Sequence, residues 1–396
     1  MTAGVVCEYN PFHKGHLYQL EKTAQAGADA IVCVMSGNFV QRGECAFLDK
    51  WKRAEIAIRN GADVVIDLPV PWAVSSAENF ARGSIYLLSQ FGVDVLSFGS
   101  ETDDREKLIL AAECTENERV IEFVRDRMSS GVHYPYALFS AVREIYDDDV
   151  AGIIASPNST LAVEYIRQMK KSGMKNFIPV LRKGAGHDTS DADGYILCAS
   201  ELRGRIADKG IKGVGEYIDE VSLEIIDGQV RAGFAPCMMR YNERAVLSAL
   251  RRLDKVGLEK YISDEQGLVS RIYDAAKTSS GLVELYNEAR SKNYTHSRVR
   301  REVLSAFLGI KKDIATRTPP YMRILAVSEK GLTLLSSAKK NSAIPIVTKH
   351  GEMQNLDSFS KEIYDLQCSS SDAFALFSPA VRPCGLEQKN SMLIIK

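Results

Sequence analysis

The sequence predicts an α/β fold: a doubly wound parallel sheet, followed by a mainly helical C-terminal domain. Two observations carry this. Short apolar runs alternate with longer helical patterns over residues 4–98, and two of the helical patterns end at glycines, Gly61 and Gly92. The composition, 45% hydrophobic and 26% charged over 396 residues, is that of a folded chain and not of a disordered or collagenous one. That length exceeds what a single core usually fills, so two domains are expected, residues 1–228 built on the sheet and residues 229–396 mainly helical and basic.

Residues 4–8, 30–35, 64–68 and 93–98 read as buried parallel strands, because their apolar runs do not alternate with polar residues. Residues 16–26, 49–60 and 76–91 read as the intervening helices, with Gly61 and Gly92 placed for left-handed caps. Residues 101–150 are helical in pattern and acidic, with 13 acidic and 6 basic side chains, the mark of a solvated face. Residues 176–181 form one more strand. The Gly- and Lys-rich stretch 209–215, followed by 228–236, suggests a junction, 241–309 is mainly helical, and the remainder mixes short strands and helices. The start of the chain lacks the basic-then-apolar pattern of a signal peptide, and no apolar run approaches the ~20 residues of a membrane span. Cys7, Cys33, Cys45, Cys114, Cys198, Cys237, Cys368 and Cys384 form no C-x-x-C pair, and several lie in apolar runs. Reduced, buried thiols in a cytoplasmic protein are the expectation.

The chemistry concentrates after the first strand, in Glu8-Tyr9-Asn10-Pro11-Phe12-His13-Lys14-Gly15-His16. A strand ends, a Pro-containing turn follows and a helix begins. This aims the positive end of the helix, with its free N–H groups, at whatever sits above the sheet. Two histidines flanking Lys-Gly add donors for phosphate oxygens, and Gly15 lets a nucleotide approach the backbone. ATP is the expected ligand. A polar loop, Ser36 to Glu44, follows the second strand and leads into Asp49-Lys50-Trp51-Lys52-Arg53. Arg42 and Lys52 are its candidate charge donors, against the plainer reading of a solvated loop and helix start. Gly99 after the fourth strand, Asn158 before a helix, Arg182-Lys183 and the segment 198–203 bring further groups toward the same edge, with Ser200 near a helix start. Residues 290–323 hold nine basic and two acidic side chains, interleaved with Tyr294, His296 and Tyr321. That is either a footprint for RNA, with Arg298, Arg300, Arg301, Lys311 and Lys312 as the contacts, or a solvated helix face.

Taken together, E-Y-N-P-F-H-K-G-H, S-G-N-F-V-Q-R-G-E, D-K-W-K-R, F-G-S-E, S-P-N-S-T-L-A and R-K-G-A-G-H-D resemble, in order, the motifs of the bacterial tRNA(Met) cytidine acetate ligases. H-x-G-H at the first strand–helix turn is the nucleotidyltransferase signature, in which the histidines steady the leaving pyrophosphate. The likeness covers roughly the first 200 residues and implies a nucleotidyltransferase-like catalytic domain with a tRNA-binding domain behind it. It implies two steps. Acetate attacks the α-phosphate of ATP, giving acetyl-adenylate and pyrophosphate, and the wobble cytidine of elongator tRNA(Met) then takes the acetyl group on its exocyclic amine, giving N(4)-acetylcytidine and AMP. By the same likeness the ATP contacts are Val6, Cys7, Glu8, Tyr9, Asn10, Pro11, Phe12, His13, Lys14, Gly15 and His16, with Gly99, Asn158, Arg182 and Lys183. His13, His16, Arg42, Lys52 and a Mg²⁺ would cancel phosphate charge. Cys198 and Ser200 depart from the family's S-A-T-x-I-R-like segment, and Cys45 stands where that loop usually has Pro. Two other readings stay open: a small-molecule adenylyltransferase, usually a much shorter chain with the same H-x-G-H sheet, and a nucleotide-responsive RNA-binding protein without catalysis.

Overall fold

The computed structural model describes residues 1–155, 157–182, 197–263, 267–292 and 294–396. Strand β1 (Thr2–Cys7) leads into helix α1 (Lys14–Gln25). After β2 (Ala30–Ser36) comes a small hairpin, β3 (Phe39–Val40) with β4 (Glu44–Cys45), and then α2 (Lys50–Arg59). β5 (Val64–Leu68), the helix Ala77–Phe91 and β6 (Val95–Ser100) complete the first half. A run of helices then leads to β7 (Asn176–Leu181), and further helices to β8 (Met322–Ser328), β9 (Ile346–Val347) and β10 (Leu393–Ile395).

The main sheet has the order β10-β8-β5-β2-β1-β6-β7, with β9 beside β8. β1 lies parallel between β2 and β6, as the alternating pattern predicts. Successive side chains of a strand face opposite ways, and the two faces fill two different cores. Val32, Val34, Ile66 and Leu96 pack under the helix Ala77–Phe91, whereas Val5, Cys33, Met35 and Val65 pack under α1 and α2. Gly4 is required where this packing is closest, since a Cβ there would lie 2.9 Å from Leu88 and Val93. Gly92 caps its helix in the left-handed conformation, φ 88, as expected. No helix among the described residues is long and apolar enough to cross a membrane.

The expected division at residue 228/229 cuts through this sheet. β8 pairs antiparallel with β5, Val64 opposite Val327 and Asp67 opposite Arg323, and β10 extends the sheet beyond it. The physical reason is burial: every residue of β5 is buried, so it cannot serve as an edge strand and needs a partner on its open side. What stands apart is a helical module. Its core joins the helices Glu243–Arg251, Leu268–Thr278, Leu282–Ala289 and His296–Leu308, with Phe39 and Val70 from the sheet side and Phe374 and Phe377 from the C-terminal segment.

Candidate active site at the carboxyl edge of the sheet

The turn from β1 to α1 is held from several sides. Tyr9 adopts a positive φ of 46, and its ring packs edge-on against Phe12 and His16. Glu8 accepts from Gln41 N at 2.8 Å, and Asn10 Oδ1 accepts from Phe47 N at 2.6 Å, so the loop after β2 clamps both residues. Burial pushes the Glu8 carboxyl above its ordinary range, and the Cys7 thiol higher still beside Cys33. Val6 is half-buried behind them.

His13 caps α1. Its Nδ1 accepts from Gly15 N at 3.0 Å, while Nδ1 of His16 accepts from His13 N at 3.3 Å. The two rings stack at 3.8 Å. Burial lowers the pKa of His13 to about 4, with the Arg182 charge adding to it, and lowers that of His16 well below the ordinary value. Both rings are therefore neutral near pH 7. With Nδ1 accepting in each, the proton sits on Nε2, which leaves two N–H donors for a ligand. The expectation of free backbone N–H groups at this helix start is corrected. Lys14 N donates to Tyr217 O at 2.9 Å, Gly15 N to His13, and His16 N to His13 O at 2.8 Å. The imidazoles, the helix dipole and nearby guanidinium groups remain to receive an anion.

Two other guanidinium groups, from unexpected places, brace the turn from behind. Arg53 is buried and donates to Glu8 O at 2.7 Å, Ser36 O at 2.9 Å and Gly37 O, pinning the carboxyl ends of β1 and β2 together. Arg203, from the helix Ala199–Lys209, donates to Asn10 O at 2.7 Å and pairs with Glu44 at 3.4 Å. Ser200 stands in the first turn of that helix, with its hydroxyl 3.1 Å from Cys198 Sγ. Sequence reading passed over Arg53 in favour of Lys52, although the helical period separates them. Lys50, Arg53, Ala54 and Ala57 share one face, whereas Lys52, Glu55 and Arg59 share the opposite one. Lys52 accordingly pairs with Glu55 at 2.9 Å and lines an open cleft with Arg59 and Glu224, away from the turn. Arg42 is exposed on the hairpin turn, where its charge favours the ionised form of Glu8.

The structure brings Gly99 and Arg182 together with the histidines. A Cβ on Gly99 would lie 3.6 Å from Arg182 Cγ, Arg182 N donates to Ser100 O at 3.0 Å, and the Arg182 charge acts on both His13 and His16. Asn158 falls in the first turn of the helix Pro157–Ser172. Lys183 lies outside the described residues.

The basic stripe 290–323 is largely spent on the protein itself. Arg300 pairs with Glu44, Arg301 donates to Gln41 O at 3.4 Å, Arg298 pairs with Glu302 at 3.9 Å, and Lys311 pairs with Glu362 at 2.7 Å. Arg323 is buried against Glu387, whose carboxylate also meets Lys50 beside Asp67. Lys312 is exposed. Local charge density in a sequence does not tell a charge facing water from one facing a hairpin.

The family model described as HIGH Nucleotidyl Transferase matches residues 1–389. The tRNA(Met) cytidine acetate ligase of Thermoanaerobacter sp. (strain X514) is 34% identical over 391 residues, 94% of this chain and 97% of that protein. That of Acetivibrio thermocellus is 33% identical over 412 residues, 99% of each. The chain belongs to the tRNA(Met) cytidine acetate ligase family. The fold agrees with that of the family. The crystal structure of Thermotoga maritima TmcAL in its apo form I matches at a TM-score of 0.93 and 30% identity, over 99% of both chains. The same protein bound with alpha-thio ATP, in form II, matches at 0.92. The match with the family thus runs through the helical module and the C-terminal strands as well as the motif-bearing half.

Proposed function

We propose that this chain acetylates the wobble cytidine of elongator tRNA(Met) with acetate and ATP, forming N(4)-acetylcytidine through acetyl-adenylate. The observation that carries the reading is the pair of neutral, Nδ1-accepting histidines at the start of α1, with Arg182 and Gly99 beside them. Kinship with the ligases, and the alpha-thio ATP found in Thermotoga maritima TmcAL, support ATP as the ligand of this edge.

In the first step an acetate oxygen attacks the α-phosphorus and pyrophosphate leaves. Acetate is already an anion at neutral pH, so no general base is needed. The demand is for in-line placement and for donors aimed at the departing phosphates. The two Nε2–H groups and the Arg182 guanidinium meet that demand in this reading, and Gly99 leaves the backbone open for the nucleoside. Arg53 and Arg203 act at one remove, holding the carbonyls of Glu8 and Asn10 so that the turn keeps its shape. In the second step the cytidine amine attacks the acetyl carbon, AMP leaves and the amine loses a proton. The cytidine must first be splayed from its anticodon stack.

Among the described residues no three His, Cys, Asp or Glu side chains converge as ligands of a metal ion. The described side chains offer no protein-held cage, so Mg²⁺ in this reading would come with the triphosphate and supply neutralisation of its charge. Eight free thiols support placing the reaction in the cytoplasm. The test is incubation with ATP, Mg²⁺, labelled acetate and total bacterial tRNA, followed by nucleoside mass spectrometry. Acetylcytidine that requires both ATP and acetate upholds the reading. Pyrophosphate release on another acid, with no label in RNA, sinks it in favour of a small-molecule adenylyltransferase.

A further inference from the structure

Charge density and charge availability part company in this chain. The stripe 290–323 carries the highest basic density, yet Arg300 and Arg301 face the hairpin, Arg323 is buried and Arg317 stacks on Phe359 at 3.4 Å. A different surface of the helical module carries cations that form no ion pair with an acid among the described residues. On the helix Glu243–Arg251 and its cap, Arg244, Ser248, Arg251 and Arg252 recur at the spacing of one helix face, and all four are exposed. They line a cleft of ≈ 680 Å³, whose other wall is the hydroxyl-rich turn Thr278, Ser279 and Ser280.

The acids near this cleft are already occupied. Glu243 accepts from Leu282 N at 3.0 Å. Glu288 accepts from Thr278 at 2.7 Å and Ser279 at 3.1 Å, and Glu284 takes both the N–H and the hydroxyl of Ser280 at 2.7 Å. Asp254, next along the chain, caps Gly257 N at 2.7 Å. Arg251 donates to Ala276 O and Ser279 O at 2.8 and 2.7 Å, which fixes the arginine against the cleft wall without neutralising it. Arg244, Arg251 and Arg252 form no ion pair with any described acid. Lys277 adds a further exposed cation at the end of the opposite helix.

We infer that this ridge, Arg244, Arg251 and Arg252 over the 278–280 turn, is the surface that holds the sugar–phosphate backbone of the RNA substrate. The inference rests on the functional reading above and deepens it. Its chemistry is that of positioning contacts: guanidinium groups and hydroxyls suit phosphate oxygens and carry no base sequence. Unanswered cations on a rigid helix are where counterion release supplies affinity, whereas a guanidinium already paired with Glu44 has little left to offer a phosphate.

The experiment is tRNA binding to the full chain across a salt series, comparing wild type with Arg244→Gln/Arg252→Gln. Lys339→Gln/Lys340→Gln, the same charge change on another helix, is the control. Melting curves confirm that each variant is folded. The expected result is an affinity about tenfold lower in the ridge variant, and a plot of log K against log salt shallower by about two, roughly one unit for each phosphate no longer neutralised. The control should keep the wild-type slope. Wild-type binding with an unchanged slope in the ridge variant, or an equal loss in the control, overturns the ridge and leaves the functional reading standing. A wild-type chain that holds no tRNA at any salt overturns both. Equal binding of an acidic polypeptide such as polyglutamate would show an unspecific anion surface and also overturn the assignment.

Discussion

His13 accepts the Gly15 N–H through Nδ1, and that single hydrogen bond decides which ring nitrogen carries the proton. Its consequences are measurable. The folded-state pKa, about 4, lies below the ordinary 6.5, so the unfolded chain binds the extra proton between those values. Stability from this group is therefore full above pH 6.5 and lost as the pH falls toward 4, by roughly 3 kcal/mol at about 1.4 kcal/mol per unit. His13→Asn keeps a side-chain acceptor for the cap and removes the titration. Its melting temperature should fall less steeply than that of wild type between pH 6.5 and 4, and parallel curves would show that burial does not control this ring. His16→Ala should lower acetate-dependent ATP–pyrophosphate exchange by about 10²–10³-fold, the usual effect of losing one donor to a developing charge. Wild-type exchange in that variant would remove His16 from the reaction.

At the level of elements, the β3–β4 hairpin joins the sheet to the helical module. Gly43 sits at φ 77, and a Cβ there would lie 2.6 Å from Arg301 N, so the turn touches the backbone of the helix His296–Leu308. Gly43→Ala should destabilise the protein by about 1–3 kcal/mol, because it strains φ and forces the two elements apart. A melting temperature equal to that of wild type would mean the hairpin moves away freely. Arg300→Glu sets a carboxylate against Glu44 on the same interface. Weakened RNA binding in that variant should come with a lowered melting temperature, unlike the effect of changes on the Arg244–Arg252 ridge. The β1, α1, β2, α2 alternation was legible because each element is a local pattern. The inward turn of Arg53 was legible too, in the opposed faces of α2, but basic residues are habitually read as solvent-facing.

Across the whole molecule, the C-terminal segment closes the sheet it never announced in sequence. Lys50 meets Asp67 and Glu387 at 2.5 Å each, all three buried, while Ser371 bridges Glu387 at 2.7 Å to Asn38 at 3.0 Å. Arg382 pairs with Asp49 at 2.8 Å. Glu387→Ala would leave Lys50 and Arg323 with one carboxylate between them, and should cost about 3–5 kcal/mol, read by urea denaturation. A chain ended at residue 321 exposes the open side of β5 and should be insoluble or lack a cooperative unfolding transition. A soluble, cooperative fragment would show that the first 321 residues fold alone. The parallel βα core, the turn from β1 to α1 and the histidine pair follow from residues near one another in the chain, since strand and helix periodicity and turn chemistry are local. The β5–β8 pairing, the charge cluster of Lys50 with Glu387 and the choice of which arginines face water depend on groups hundreds of residues apart. Only the folded chain brings these together, because no local pattern records which distant carboxylate or strand will neutralise or cover a given side chain.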